Sequence, residues 1–285
     1  MKLSLSVRVA ESLHAKRVPA MSLESLAELA AAFHHDPSHD LTVVGVTGTN
    51  GKTTTTALTG QLVAHAGKTV AVAGNIGPTL LDTLAQHMDE NGYYCMWTAE
   101  HHFQREGYEV FPNLTLLGVP LAGLTKNLKF GAAFNIVPMW HPLRLAEDFA
   151  VADILTGGRL IFGVGRGYHS REVETFGAPV IDNDANKELF EEQMEIIFKC
   201  FNEDSFTHEG KHYSLPAHVP FRGYEVQDIT MVPRPINTPV EIWQPIASGR
   251  TLEYIAQRGI KGMVHLTGEM LVDQMFRAYQ EAAGG

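Results

Sequence analysis

A glycine-rich stretch near the amino terminus has the residue types of a phosphate-binding loop. Residues 45–56 read GVTGTNGKTTTT. Gly48 and Gly51 would let backbone N–H groups turn toward a phosphate, Lys52 supplies a positive charge, and a threonine hydroxyl after it could hold Mg²⁺. Val46 stands where the general pattern has its first glycine. We predict a nucleotide- or phosphate-binding loop that consists of Gly48, Thr49, Asn50, Gly51, Lys52, Thr53 and Thr54.

A second stretch, MWTAEHHF at residues 96–103, places one acid and two imidazoles directly after a predicted strand. Imidazole titrates near neutrality and often moves protons in active sites. Glu100, His101 and His102 are therefore candidate catalytic residues, with Glu100 expected to orient His101 or to hold Mg²⁺. The alternative is a pair of loop histidines bonded to backbone groups, beside an inert charged strand end.

The stretch GVGRGY at residues 163–168 has the chemistry of an anion site. The guanidinium of Arg166 suits a phosphate, and the glycines on either side, including Gly167, allow close backbone approach. Tyr168 is expected to stack on a cofactor or to hydrogen-bond to it. The alternative is a structural arginine that pairs with Glu172 or Glu174.

A third candidate anion site opens the helix predicted after the seventh strand. Ser248, Gly249 and Thr251 would present hydroxyl and N–H groups at a helix amino terminus, where an anion is favoured. Simple capping of the helix by Ser248 explains the same residues without a ligand. The sequence leaves both interpretations open.

The elements that must position these residues alternate along the chain. Runs rich in β-branched or aromatic residues predict strands, and the stretches between them predict helices. This alternation is typical of right-handed βαβ units around a parallel sheet, and eight units predict an α/β fold that closes into a (β/α)₈ TIM-type barrel. The alternative is an open doubly wound sheet followed by a partial barrel. The predicted strands span 3–7, 42–47, 69–74, 94–99, 128–134, 160–165, 241–246 and 262–267.

The helices follow these strands, and the whole of 1–285 is predicted to form one barrel. Residues 1–91 would supply three βα units and residues 92–285 five, with an irregular insertion at 204–240 that is long for a loop. The predicted helices span 22–35, 53–67, 78–92, 112–126, 141–158, 185–201, 251–259 and 269–283.

Composition restricts the class of protein. The 285 residues carry a formal net charge of −10, which disfavours a general nucleic-acid partner. Cys95 and Cys200 have no metal-ligand spacing, so we expect a reduced, cytoplasmic protein in which both are small core residues. No apolar run reaches the roughly 18 residues of a membrane helix. We expect a small-molecule or phosphate ligand, no nucleic-acid or membrane partner, and a monomer or homodimer.

Residues 92–283 resemble the bacterial-luciferase-like flavin monooxygenases. The resemblance is carried by GYYCMWTAEHHF, GVGRGYHSREVETFG and IWQPIASGRTLEYIAQRGIKGMV. It implies a (β/α)₈ barrel that uses FMN or a deazaflavin, with His101 at the reactive edge of the flavin as a proton-transfer group and Arg166 near its phosphate. It also implies that the backbone at Ala133 and Phe134 approaches the isoalloxazine ring, although ordinary strand packing would explain these two residues.

Two other stretches resemble different families. Residues 41–86, with VVGVTGTNGKTTTT and VAVAGNIGPTLLD, look like the ATP-binding start of Mur-type amino-acid ligases, which implies ATP–Mg²⁺ at the glycine-rich loop. Residues 1–35 resemble the opening βα unit of sugar-phosphate isomerase/epimerase barrels, which implies fold only. We therefore predict a chimera or designed recombinant in which βα units of three families close one barrel.

The sequence thus leads to three functional hypotheses. The first is an FMN-dependent luciferase-like oxidoreductase or monooxygenase, or a remnant that binds only flavin or phosphate. The second is a P-loop nucleotide- or phosphate-binding module that takes ATP–Mg²⁺. The third is a structural chimera without catalytic activity.

Overall fold

The computed structural model describes residues 61, 63–68, 70, 79–103, 111–246, 248–264 and 269–284. The predicted phosphate-binding loop and the first two predicted strands lie outside these residues, as does the third strand except for one position. The chain divides into two compact units, Met1–Leu80 and Leu81–Gly285. The elements described below belong to the second unit, apart from the first residue of its first helix.

The helices agree with the predicted positions to within a few residues. Those predicted at 78–92, 112–126, 141–158, 185–201, 251–259 and 269–283 are all present, and a single turn at Ser170–Val173 was not predicted. Leu114–Gly123 forms a helix although Pro120 lies inside it. The helices are α1 (Leu80–Glu90), α2 (Leu114–Gly123), α3 (Pro142–Leu155), α4 (Ser170–Val173), α5 (Asn183–Asn202), α6 (Gly249–Gln257) and α7 (Glu269–Ala282).

The strands of the main sheet are parallel and follow the order of the chain. The sheet has the order β1-β2-β4-β9-β10, and β3 pairs with β4. Neighbouring strands are thus successive predicted βα units, from the fourth to the eighth, as in the wall of a barrel. These strands are β1 (Cys95–Thr98), β2 (Lys129–Ala132), β3 (Asn135–Ile136), β4 (Leu160–Gly165), β9 (Ile242–Pro245) and β10 (Lys261–Met263).

The prediction of one continuous strand at 128–134 is wrong. The chain leaves β2 after Ala132, passes through a cis peptide between Ala133 and Phe134, and pairs again as β3. The backbone N–H of Ala133 donates to the Thr98 carbonyl of β1 at 2.6 Å, whereas β3 pairs with β4. The predicted strand therefore ends at Ala132, and the chain pairs with β4 again only at Asn135 and Ile136.

The irregular segment 204–240 is an ordered excursion. It contains two short antiparallel pairs, β5 (His208–Glu209) with β6 (Ser214–Leu215) and β7 (Pro220–Phe221) with β8 (Tyr224–Glu225). At its end, the buried carboxylate of Asp153 accepts the N–H of Ile236 at 2.8 Å. Burial raises the pKa of Asp153, although its backbone hydrogen bonds oppose the shift. The excursion is therefore tied to α3 before the chain enters β9.

One face of the sheet packs against helices and forms the main core. The alternating apolar residues of β2, β4 and β9 point to this face, which is what the period of a strand requires. Phe162 of β4 is fully buried between Phe149 of α3 and Phe201 of α5, with ring centroids 4.7 and 5.5 Å away. The spacing and tilt suit aromatic pairs.

The opposite face carries a charge cluster at the amino-terminal end of the strands. Glu241 accepts hydrogen bonds from Lys129 at 2.8 Å, Lys261 at 2.7 Å and Trp243 Nε1 at 3.0 Å. Burial alone would raise the pKa of Glu241, but these bonds lower it to about 2. The cluster joins β2, β9 and β10 at the end of the sheet away from the candidate residues.

Glycines on this second face make room for large groups. Trp97 of β1 and Trp243 of β9 meet edge to face at 5.3 Å, and a Cβ on Gly131 would lie 2.3 Å from the Trp97 ring. A Cβ on Gly163 would lie 1.6 Å from the Ala132 carbonyl oxygen. These glycines therefore allow side chains and backbone to approach strands β2 and β4 more closely than any other residue would.

Within the part of the chain that the structure describes, no helix combines the length and the apolar character needed to cross a membrane.

We expect Gly163→Ala to be strongly destabilising, because the added methyl group would overlap the backbone at Ala132. The expected loss of unfolding free energy is at least about 3 kcal/mol, the upper part of the range for overpacking. Gly123→Ala is the matched control: this glycine ends α2 with open space around it, and alanine should stabilise by about 0.5–1 kcal/mol. Urea unfolding measures both, and equal midpoints for the two variants would contradict the close approach.

Candidate functional site

The candidate residues lie where parallel strands end. Glu100, His101 and His102 follow β1, the cis segment follows β2, and Arg166 follows β4. Since the carboxyl ends of parallel strands share one edge of a sheet, these residues lie along the same edge. Ser248 follows β9 at this edge too, at the start of α6.

The carboxylate of Glu100 is the most heavily bonded group at this edge. It is 2% exposed and accepts three hydrogen bonds, from the backbone N–H of Ile136 at 2.7 Å, from Trp140 Nε1 at 3.0 Å and from His102 Nε2 at 3.0 Å. A carboxylate can only accept, so Nε2 is the protonated nitrogen of His102. Glu100 therefore orients His102, and the expectation that it orients His101 is wrong.

His102 is held inside the protein. Its side chain is 9% exposed, and its ring lies 4.8 Å from the Phe176 ring, which in turn stacks on Phe103 at 5.3 Å. With Glu100 on its Nε2 and an aromatic ring beside it, His102 has the surroundings of a structural residue.

His101 points to a different acid. Its Nδ1 lies 3.4 Å from Oε2 of Glu172 in α4, and its side chain keeps 13% of its surface exposed. The ring of His169 lies 5.1 Å away, edge to face. Of His101 and His102, His101 is therefore the one that lies beside the residues that follow β4.

The segment at Ala133 and Phe134 lies against β4. A Cβ on Gly165 would lie 3.2 Å from Cβ of Phe134, and Asn135 Nδ2 donates to the Gly163 carbonyl at 3.0 Å. Both Ala133 and Phe134 stay partly exposed. This segment is therefore held against β4 and still keeps part of its surface exposed, which ordinary strand packing does not require.

Arg166 is positioned by asparagines of α5. Its Nη1 donates to Asn183 Oδ1 at 3.1 Å and to Asn186 Oδ1 at 3.3 Å, while Asn186 Nδ2 donates back to the Arg166 carbonyl at 3.1 Å. The alternative of pairing with Glu172 or Glu174 is not what the structure has. The guanidinium is oriented by neutral groups, so its positive charge is not cancelled by a carboxylate within the described residues.

The two residues after Arg166 have different roles. Gly167 has a φ of +82°, and a Cβ there would lie 2.6 Å from Val173 and 2.8 Å from Ile136 side-chain atoms. Tyr168 is 75% exposed, with its ring 4.1 Å from that of His169 and 6.3 Å from that of His101. Gly167 makes the sharp turn after β4, and Tyr168 stands at the edge of the histidine group.

At the start of α6, Ser248 caps the helix. Its hydroxyl accepts from the N–H of Thr251 at 3.2 Å and lies 3.0 Å from the Thr251 hydroxyl. Ser248 and Gly249 are exposed and Thr251 is partly exposed. The capping predicted as the simpler interpretation is present, and these groups also remain open to solvent.

The structure brings together residues that the sequence did not single out. Trp140 and Asn135 support the β1 and β2 ends, and His169 joins His101 and Glu172. Glu172 was considered only as a partner of Arg166. The i, i+3 spacing of a histidine and a glutamate in HSRE (169–172) was the available signal, because residues three apart share a helix face. His141 begins α3 as predicted, and burial lowers its pKa.

Comparison with known proteins relates the chain by sequence to luciferase-like monooxygenases. The family model described as luciferase-like monooxygenase matches residues 59–284. The oxygenase component of the flavin-dependent trigonelline monooxygenase of Acinetobacter baylyi is 29% identical over 203 residues, which are 70% of this chain and 52% of that protein. The chain spans between 35% and 52% of the length of the curated relatives that it matches first.

A solved structure shows the same fold. The oxygenating constituent of 3,6-diketocamphane monooxygenase from Pseudomonas putida, solved in complex with FMN, has a TM-score of 0.59 and 24% sequence identity; the match covers 71% of this chain and 56% of that one. The resemblance to luciferase-like monooxygenases is thus confirmed, and the described sheet is a parallel half-barrel of this α/β fold.

A short segment is similar to a different enzyme. The UDP-N-acetylmuramoylalanine–D-glutamate ligase of Albidiferax ferrireducens is 55% identical over 85 residues, which are 30% of this chain but 16% of the ligase. The resemblance to Mur-type ligases is therefore confirmed for a short segment. The resemblance of residues 1–35 to isomerase/epimerase barrels stays a prediction.

We expect Glu100→Gln to destabilise the protein, because an amide replaces one of the acceptor oxygens that face buried donors. The expected loss of unfolding free energy is about 2–4 kcal/mol. Glu174→Gln is the matched control, since Glu174 also accepts two backbone N–H groups, from Val180 and Ile181, but is exposed. In thermal unfolding Glu100→Gln should lower the midpoint much more than Glu174→Gln does. Equal shifts would contradict a central role of the Glu100 carboxylate.

Proposed function

The chain belongs to the luciferase-like monooxygenase family, and on this premise we propose that it is an FMN-dependent oxidoreductase or monooxygenase. The observation that carries the proposal is the row of residues at the carboxyl ends of β1, β2, β4 and β9. It contains the partly exposed segment at Ala133 and Phe134 that packs on β4, the partly exposed His101, and cationic and N–H groups suited to a phosphate.

The residues fit the two parts of FMN. For the phosphate, Arg166 offers an oriented guanidinium whose Nε and Nη2 make no hydrogen bond within the described residues, and α6 offers exposed hydroxyl and N–H groups at Ser248, Gly249 and Thr251. For the ring, the cis segment offers two partly exposed residues, Ala133 and Phe134. A neutral pair of asparagines behind Arg166 keeps its charge available to an anion.

Reduced flavin supplies the electrons that activate O₂ for transfer to a substrate. In the proposed site His101 holds or moves a proton at its ring nitrogens. Of His101 and His102 it is the less buried histidine, and its Nδ1 lies beside Glu172. Glu100 acts indirectly. It fixes His102 and the N–H of Ile136, and so determines where the neighbouring His101 lies. Glu100 and His102 are positioning residues in this scheme.

A second candidate function has a specific observation in its favour, the 55% identity of a segment to a Mur-type ligase. Under this proposal Gly48–Thr54 bind phosphate or ATP–Mg²⁺. The match covers 16% of the ligase, so the groups that would hold adenine and complete the Mg²⁺ shell come from parts that have no counterpart in it. A lone phosphate cradle gives weak affinity, because most of the binding energy must come from other groups.

The remaining predictions from the sequence are also proposals. We propose that residues 1–91 complete an eight-unit barrel with 92–285, and that the two family resemblances in one chain reflect a chimeric origin. The ligand is a small molecule, and the protein is a cytoplasmic monomer or homodimer without nucleic-acid or membrane partners. If the protein is a chimera that binds none of these ligands, both proposed functions are wrong.

The proposal is tested by isothermal titration of the full chain with FMN, with ATP–Mg²⁺ and with inorganic phosphate. FMN should bind most tightly. Arg166→Ala should weaken FMN binding about tenfold or more, since it removes a charge-assisted bond worth roughly 1.5–3 kcal/mol. Arg171→Ala is the matched control: it removes an exposed arginine five residues away and should change FMN affinity little. Lys52→Ala should have a smaller effect than Arg166→Ala.

Tight binding of ATP–Mg²⁺ that Lys52→Ala abolishes, without FMN binding, would replace the flavin proposal by the nucleotide-binding one. Absence of binding by FMN, ATP–Mg²⁺ and phosphate would contradict both and leave a structural chimera.

A further inference from the structure

Two histidines and a glutamate converge beside the proposed flavin site. The ligand atoms of His101, His169 and Glu172 all lie within 4.8 Å of one another. A tetrahedral Zn²⁺ with bonds of about 2.0–2.2 Å holds its ligand atoms about 3.3–3.5 Å apart. The separation of His101 Nδ1 and Glu172 Oε2 is 3.4 Å, already at that spacing. The ligand atom of the half-buried His169 lies within 4.8 Å of both.

The Glu172 carboxylate lacks the partners that a buried acid needs. The residue is 2% exposed, and among the described residues its Oε1 has no hydrogen-bond partner and its Oε2 has only the long contact to His101. Burial of a carboxylate is costly unless it is paired, hydrogen-bonded or bound to a metal. Glu100, by contrast, has both oxygens bonded at ordinary distances. Glu172 thus shares with Asp153 a buried carboxylate oxygen that has no partner among the described residues, and its other oxygen lies beside the imidazole of His101.

The backbone holds the three residues in place before any ligand binds. His169 caps α4, and its carbonyl accepts the N–H of Glu172 at 3.0 Å, which fixes the two side chains on one turn. His101 comes from the end of β1, where its neighbour Glu100 is anchored to Ile136. Two ligands from one helical turn and a third from another strand end make a preorganised set, since no chain segment has to move to bring them together.

We propose that His101, His169 and Glu172 form a binding site for one borderline divalent metal ion, with Zn²⁺ as the reference ion. Two imidazoles and a carboxylate suit Zn²⁺, Co²⁺ or Ni²⁺ better than Mg²⁺ or Ca²⁺, which prefer oxygen ligands. Three protein ligands leave a fourth position open, and the partly exposed His101 and His169 place it toward solvent. Binding of the metal ion does not require flavin, because all three ligands belong to the protein.

The metal and the proposed proton transfer use the same histidine. A metal on His101 occupies the ring nitrogen next to Glu172 and fixes the imidazole, so it cannot hold a proton at that atom. Metal binding therefore opposes the proton-holding role proposed for His101 at that atom.

The test is a titration of the chelator-treated full chain with Zn²⁺ by calorimetry and with Co²⁺ by absorption, in the absence of flavin. We expect one Zn²⁺ per chain and the intense visible bands of four-coordinate Co²⁺. His169→Gln and His101→Gln should each weaken Zn²⁺ binding about 100-fold or more, because loss of even an outer-shell partner of a ligand costs about 10–100-fold. Thermal unfolding of both variants checks that they fold.

His218→Gln is the matched control. His218 also lies 3.4 Å from two carboxylates, Glu209 and Glu225, but all three are exposed. Its replacement should leave the tight Zn²⁺ site unchanged. The proposal is overturned if folded His169→Gln binds Zn²⁺ as tightly as the parent chain, or if the parent chain binds none. Because no flavin is present, either result is separate from success or failure of FMN binding.

Discussion

The arrangement at the carboxyl edge of the sheet depends on one buried carboxylate. Glu100 takes hydrogen bonds from the backbone of β3, from the indole of Trp140 and from the ring of His102. These donors come from three positions in the chain, and no apolar side chain could satisfy them. The end of β1 is therefore fixed to the segment that follows β2. With His102 held inward by this carboxylate, its neighbour His101 lies beside the other buried acid, Glu172.

Glu100 and Glu172 have opposite surroundings, and the possible chemistry at this edge of the sheet follows from that difference. Glu100 is fully bonded and is structural, whereas Glu172 is equally buried but has an unsatisfied oxygen. An accessible imidazole beside an incompletely paired acid can take part in proton transfer or can bind a metal ion. Glycines at 163 and 165 bring the cis segment to within van der Waals contact of β4, and the asparagines of α5 orient Arg166. A flavin site and a metal site thus share His101.

Much of the local structure could be predicted from the sequence. The strands at 94–99, 160–165 and 241–246 were found because they are runs rich in β-branched or aromatic residues, and the long helix at 185–201 because it fills a stretch between two such runs. The break after Ala132 was not, since seven residues of uniform strand character give no local signal of a cis peptide. The partners of Glu100 lie 36 and 40 residues further along the chain. To predict that Glu100 bonds to His102 and not to His101, one needs the positions of Trp140 and Ile136, which only the packed sheet supplies.

The central claim, that Glu100 holds His102 and leaves His101 to Glu172, is tested most directly by NMR of ¹⁵N-histidine-labelled protein. The account predicts a ring N–H proton that exchanges slowly with solvent, is lost in His102→Gln and persists in His101→Gln. The buried His208, 3.2 Å from Glu192, provides a reference signal that should persist in both variants. A protected proton that survives in His102→Gln and disappears in His101→Gln would show that Glu100 holds the other histidine, and would contradict the account.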